Sequence, residues 1–390
     1  MALTLPKLLL IVLSVAGFWT LWGFPYQNGL LKLLAAQAEP GAVIPGPTLA
    51  PMKQTYTGMG VVDKQLTVLV SFFYTAIDGN RADISLSFLA LGGQVLGAWT
   101  LITIESLRVA NKGKFLLTAT TLLGLGVAII GYACVAPLWF ALHLWVSPTV
   151  NNPKDYQLIV DTPVKLAIAP ISILIGFGLP SVVMTLPAPA VLSFDTKQTW
   201  TAIQQGWPIW IGITHFILST FAIILDQRAS IMTEKAKRAK TITYLRRAYA
   251  FSILSSTGSY LGGLSLSMLA YAFPVLFRST YLAQLQPQQV YWPVLPFGEH
   301  QVKELADGAL PFLQWDLIIA VGANLVWGLA VRAASKTEKG SIGQTLIGSA
   351  KIAVIALLLG PTAAATVAVW ARDEFIFRRS DPSVEKNKEN

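Results

Sequence analysis

Charge is scarce in this sequence. Only 13% of its 390 residues are Asp, Glu, Lys or Arg, while 54% are hydrophobic. A soluble domain carries about 25% charged residues, so these cannot coat a soluble surface of this size, and no stretch reads as a separate soluble domain. Cysteine is almost missing too. Cys134 stands alone, which excludes an intramolecular disulfide and any CxxC or Cys/His metal motif. Within an apolar block it reads as a small packing residue. The chain has no GxSxG, HExxH or GxxxxGK[ST] motif, no GxGxxG between a strand and a helix, and no DxxxD pair of the diphosphate–metal kind. No metal site and no cofactor are therefore expected. No N-x-S/T acceptor occurs either, so glycosylation offers no orientation mark.

What is present is a series of long apolar blocks, each of a length that reads as a membrane span. They run Leu8–Phe24, Val61–Ile77, Ile84–Ile104, Phe115–Pro137, Val164–Leu186, Trp207–Leu225, Phe251–Phe273, Leu310–Val331 and Ile352–Trp370. The expected fold is all-α, a polytopic transmembrane bundle of about eight or nine spans. Residues 1–379 would form the one bundle domain and 380–390 a polar disordered tail. The first block reads as an uncleaved span, because the nearest small-x-small site, Ala36-Gln37-Ala38, lies well past it.

The formal net charge of +9 sits between the blocks. Nucleic-acid binding needs a basic face on a water-exposed domain, and none is visible. The basic residues read instead as topogenic. Three clusters should be cytoplasmic: Arg108, Lys112 and Lys114; Arg228 through Arg247; and Arg332, Lys336 and Lys339. The second and third are separated by two blocks, which agrees. The first and second are separated by three, so either Phe115–Trp145 crosses twice or a neighbour is re-entrant.

Pro163, Pro170 and Pro180 mark the fifth block, with Pro187 and Pro189 after it. Proline removes a backbone donor, which a membrane helix tolerates where protein or a cavity satisfies the freed carbonyl. This helix should face the bundle interior. Gly258, Gly262 and Gly263 in the seventh block predict close helix approach. The aromatic loop from Arg278 to Gly308 should be lumenal, as an interfacial belt or as a lid over a site.

Ionisable groups at membrane depth are expensive to bury and so carry functional weight. Glu105 ends the third block one turn from Arg108, as an interfacial ion pair or as a proton donor. Asp316 lies inside the eighth block with no basic residue within a turn. Asp78 follows the second block in an Asp-Gly pair that is also an ordinary turn. Asp226 reads as an interfacial carboxylate beside Arg228. His215 lies mid-block and Gln94 within the third; both are polar groups suited to interhelical bonding. His143 stands near a helix end. These groups suit protonation of a greasy substrate or proton-coupled transport better than a nucleophile triad.

The stretch Val61-Val62-Asp63-Lys64-Gln65-Leu66-Thr67, with Ser71-Phe72-Phe73, Ile77-Asp78-Gly79, Gly93-Gln94, Ala98-Trp99-Thr100-Leu101 and Glu105-Ser106-Leu107-Arg108-Val109-Ala110-Asn111, resembles the integral-membrane terpene cyclase family of fungal ascofuranone biosynthesis. Pro137-Leu138, His143-Leu144 and Ser147-Pro148-Thr149 extend the likeness, and weaker similarity runs to the end. The resemblance implies a non-metal cyclase of the endoplasmic reticulum membrane, acting in fungal secondary metabolism. It would protonate a terminal epoxide on a prenylated aromatic, a meroterpenoid, and close a cyclic ether on an internal hydroxyl. Glu105, Asp78 and Asp316 are the candidate acids; Gln94, Trp99, His143 and His215 are candidate substrate-binding residues. Expected partners are the lipophilic substrate, the bilayer and other membrane enzymes of the pathway. A proton-coupled small-solute transporter is the second reading, favoured by the proline-broken fifth block.

Overall fold

The computed structural model describes residues 3–225, 232–298, 300–335 and 342–380, with side chains only from 347 onward in the last stretch. Asp226, Arg228, Lys336, Lys339 and all of the polar tail except Ser380 lie outside the described residues. Helices dominate, and the pairings outside them are two isolated bridges, Val43 with Pro51 and Arg108 with Val160. The helices used below are α1 (Thr4–Gln27), α2 (Gly60–Ile77), α3 (Ala82–Leu107), α4 (Thr120–Ile130), α5 (Tyr132–Val146), α6 (Val164–Thr185), α7 (Phe194–Gln205), α8 (Trp207–Leu225), α9 (Glu234–Ala272), α10 (Leu305–Ala334), α11 (Ile342–Leu359) and α12 (Pro361–Arg379).

Among the described residues, five helices are long and apolar enough to cross a membrane: α1, α3, α6, α8 and α10. This is fewer than the eight or nine blocks of the hydropathy reading, and part of the difference lies in blocks that are not single helices. The fourth block is not one helix. It breaks at Gly131, whose φ of 113° interrupts the chain between α4 and α5. Leaving the Lys114 end, α4 stops beside Trp22, whose indole N–H donates to the Ile130 carbonyl at 2.8 Å. α5 then returns, and Ser147 donates to Asn111 at 2.7 Å. The stretch therefore returns to the end it left, which restores the parity of the basic loops. α11 and α12 form a second hairpin. It turns at Gly360, with φ 95°, against the Tyr260 ring in the middle of α9. α2 packs on α7 and α10, with its last turns near the start of α3, where Phe73 meets Phe88 at 5.4 Å.

The basic segments come together at one end of the bundle. Arg238 pairs with Asp155 at 3.2 Å, Arg246 with Glu374 at 2.6 Å, and the Asn152 N–H donates to the Ala334 carbonyl at 3.1 Å. By the positive-inside rule this is the end expected to face the cytosol. A cysteine placed at exposed Ala239 should react with an impermeant maleimide only from the cytosolic side. Labelling from the lumenal side alone would overturn the orientation.

α3 is the central helix and packs most extensively on α9. The close approach falls on the serines of the small-residue stretch in α9 rather than on Gly258 and Gly262. Gly258 and Gly262 meet open space, whereas Gly93 and Gly97 of α3 lie directly against Ser252, Ser256 and Ser259 of α9. Ser252 seals the contact by donating to the Gly97 carbonyl at 2.9 Å. Small residues let backbones close to hydrogen-bonding distance where lipid supplies no hydrophobic drive between helices.

Candidate active site

Three helices lose their regular winding at one place. In α1 the segment Trp19–Gly23 is a π-helical turn, with the Phe24 N–H reaching back to the Trp19 carbonyl. In α6 the segment Leu174–Gly178 does the same, with Leu179 bonding to Leu174. Each is followed two residues later by a proline, Pro25 or Pro180. Proline has no N–H, so the carbonyl four residues earlier loses its partner and the wider turn re-spaces the ladder. The third irregularity is the break at Gly131. Leu21 and Trp22 from the first, Phe177 from the second and Gly131 itself all line one cavity of about 330 Å3. Single π-turns occur mostly at functional sites.

That cavity is a chamber of aromatic and aliphatic side chains. Phe72 and Phe73 of α2, Phe88 of α3, Phe177, Trp207 and Phe312 face it, with Gln65, Gln204 and Gln205. Neighbours hold the rings. Phe312 meets Phe72 edge-on at 4.9 Å, and Trp207 is wedged between Trp99 at 4.7 Å and Phe177 at 5.4 Å. Asp316 supplies the one carboxyl group on the described wall. Its Oδ1 accepts the Ala133 N–H at 2.6 Å. The donor is one of the N–H groups that the break at Gly131 leaves without an intrahelical partner. Asp316 thus caps α5 from another helix, with the Tyr132 backbone N–H also directed at its carboxyl, which anchors the group at the chamber wall. A second cavity of about 600 Å3 borders the first across Phe88, Gly92 and Phe177, with Ser85, Ser181, Ser255 and Ser259 on its walls. Among the described residues, no group of three His, Cys, Asp or Glu side chains is disposed to hold a metal ion.

Gly131 is required at this break. Its φ of 113° and ψ of 148° belong to a region that essentially only glycine occupies, and any side chain there costs about 1–3 kcal/mol. An added Cβ would also press on Leu21. Gly131→Ala should therefore lower the thermal midpoint of the detergent-solubilised protein; an unchanged midpoint would show that the break relaxes freely.

The other candidate residues lie elsewhere. Glu105 is 1% exposed and forms the hub of a buried network at the basic end. Its Oε1 accepts from Arg108 at 2.9 Å and Arg372 at 2.7 Å; its Oε2 accepts from Thr149 at 2.9 Å and His143 at 3.1 Å. His143 takes the Trp327 indole N–H on its other nitrogen at 3.2 Å, so it donates from Nε2. Arg108 also bonds Asp373 at 2.7 Å, and Asp373 accepts from Tyr249. Every acceptor position of Glu105 is occupied, and neither it nor His143 lines either cavity. Asp78 closes an Asx turn, accepting from the Asn80 backbone N–H and side-chain amide at 2.9 and 2.8 Å. Gln94 joins three helices, donating to Ser256 and accepting from Thr362. His215 faces Ser172 across α6 and α8 at 3.4 Å. Trp99 braces Trp207 from behind rather than lining the chamber. α6 turns one face to the interior but leaves Leu179 and Val182 exposed. The Arg278–Gly308 loop is pinned to the bundle by Trp19 and Trp315 bonds to Pro296 and Val294, and none of its residues lines the chamber. Cys134 is fully buried beside Leu21 and Ile319.

Sequence reasoning passed over Gln204, Gln205, Trp207 and Phe312. The two prolines at equal distance behind π-turns were the available signal.

The chain is similar along most of its length to characterised fungal proteins. It is 29% identical over 369 residues to the terpene cyclase ctvD of Aspergillus terreus, covering 94% of this chain and 98% of that one. It is 28% identical over 388 residues to the terpene cyclase ascI of Acremonium egyptiacum, covering 98% and 95%. It is 26% identical over 371 residues to the terpene cyclase penA of Penicillium crustosum, covering 93% and 94%. No solved structure matches. The CtvD domain model matches residues 6–377, and a match of that extent, over a bundle whose helices break around one aromatic chamber, places the chain in the CtvD domain family.

Proposed function

We propose that this chain is a membrane terpene cyclase that converts an epoxidised prenylated aromatic to a cyclic ether in fungal secondary metabolism, with Asp316 as the acid. The observation that carries the reading is an aromatic chamber with a single carboxyl on its wall. The names of the relatives support the reaction class, and the apolar helices agree with placement in the endoplasmic reticulum membrane.

Epoxide opening fits these residues. The Asp316 carboxyl delivers its proton to the epoxide oxygen, and the bond from that oxygen to the tertiary carbon breaks. An internal hydroxyl of the substrate attacks that carbon, forms the new C–O bond and loses its proton to the carboxylate. Nothing is gained or lost overall, so the reaction is an isomerisation. The tertiary centre carries positive charge between the two steps. Ring faces stabilise such charge by about 2 kcal/mol or more when water is excluded. Phe72 and Phe312 face the chamber, and Phe312 lies one turn from Asp316 on α10.

Phe312→Leu should keep the volume roughly but remove the ring, lowering kcat by about 10- to 30-fold. An unchanged kcat would exclude Phe312 from cation stabilisation. Product formation from an epoxyprenyl phenol whose prenyl chain carries the attacking hydroxyl, in detergent-solubilised protein, tests the class directly. It should survive EDTA; loss of turnover that Mg2+ restores would overturn epoxide protonation by a side chain. Solute flux in proteoliposomes without product formation would favour transport instead.

A further inference from the structure

We propose that Gln204 and Gln205 form a subsite that hydrogen-bonds the oxygenated, O–H-bearing ring of the substrate. This inference deepens the cyclase reading and rests on it for the identity of the ligand.

The two glutamines end α7, are 5% and 6% exposed, and line the chamber. Their mutual geometry leaves a defined vacancy. Gln205 Nε2 donates to Gln204 Oε1 at 2.8 Å and to the Thr201 carbonyl at 3.3 Å, so both of its protons are engaged. Gln204 Nε2 and Gln205 Oε1 have no protein partner. One amide thus offers donors and its neighbour an acceptor, from adjacent positions in a largely apolar chamber. Both atoms face the cavity, and a hydrocarbon chain that displaced water from them could not replace its hydrogen bonds, which loses affinity. A ring bearing a carbonyl or phenolic oxygen beside a hydroxyl satisfies both: Gln204 donates to the oxygen and Gln205 accepts from the hydroxyl. Trp207, two residues on, is held in place by Trp99 and Phe177 and provides an aromatic surface for such a ring.

The placement gives the substrate a direction. α2 packs on both α7 and α10; α7 otherwise packs on α6, and α10, which carries Asp316, on α1, α3, α5 and α12. The oxygenated head and the epoxide are therefore taken by different walls, with the phenylalanines of α2 between them along the prenyl chain. Sites that hydrogen-bond a substrate hydroxyl discriminate strongly against analogues lacking it, so this pair would decide which ring is accepted without touching the reacting atoms.

The test uses the full chain in nanodiscs with the near-isosteric variants Gln204→Met and Gln205→Met. Two epoxyprenyl substrates are compared, both carrying on the prenyl chain the hydroxyl that traps the tertiary carbon, one with a hydroxylated ring and one with the ring oxygens removed. On the hydroxylated substrate each variant should lose about tenfold or more in kcat/KM, mostly through KM. On the deoxygenated substrate each should match the wild type. Equal losses on both substrates, or none on either, would overturn the subsite. Binding of a prenylated phenol without an epoxide supplies a readout that needs no turnover. Its Kd should weaken about tenfold in both variants. If wild-type protein turns over neither epoxide but binds the phenol and loses it in the variants, the subsite stands and the cyclase reading falls. Unchanged phenol binding in the variants overturns the subsite whatever the turnover.

Discussion

Asp316→Asn should lower turnover by about 10²- to 10⁴-fold, the contribution a positioned general acid makes, while the protein accumulates normally. The amide keeps the size of the side chain, and its oxygen still accepts the Ala133 N–H, so the cap on α5 survives. Only the transferable proton is removed. Measuring single-turnover product formation with detergent-solubilised protein, normalised to folded protein by size-exclusion chromatography, separates chemistry from folding. A variant that folds and retains near-normal turnover would rule out Asp316 as the acid.

Glu105→Gln should behave oppositely. It should sharply reduce the amount of folded protein and leave the surviving fraction active within a few-fold. Glu105 receives two guanidinium donors in a site closed to solvent. Removing one partner from a buried ion network leaves uncompensated charge and costs about 3–5 kcal/mol. That is a large part of the roughly 5–15 kcal/mol that holds a protein folded. Thermal midpoint and membrane accumulation read this loss. Normal accumulation combined with abolished turnover would make Glu105 the acid and overturn the chamber assignment. The Asp78→Asn variant completes the comparison. Its amide can still accept the Asn80 backbone N–H, so activity should stay within a few-fold of the wild type.

The three carboxyl groups show what a linear reading can separate. Each is an ionisable residue at the edge of, or within, an apolar block, and each has a bland and a functional interpretation. The sequence favoured Glu105 because it lies in the best-matching segment. Its partners other than Arg108 come from two distant parts of the chain, Thr149 and His143 from one and Arg372 from the other. Spacing along one helix reveals the Arg108 contact but not the other three. Asp316 illustrates the converse. That it lacks a local basic partner was visible, whereas the broken helix that caps it was not, because hydropathy runs smoothly through Gly131.

Sequence alone determined that the chain is a helical, lipid-suited protein, because 54% hydrophobic content in long blocks leaves no other solvent for it. It also revealed the grouping of basic loops and the family resemblance, which are properties of order along the chain. Tertiary structure decided which blocks run as single helices and which double back, because the course of a hairpin depends on where its two arms pack. The structure also decided where the backbone irregularities meet. Pro25, Gly131 and Pro180 are far apart in sequence, and each by itself only loosens a helix. Their convergence on one chamber is set by helix packing, as is the choice of the carboxyl that faces it.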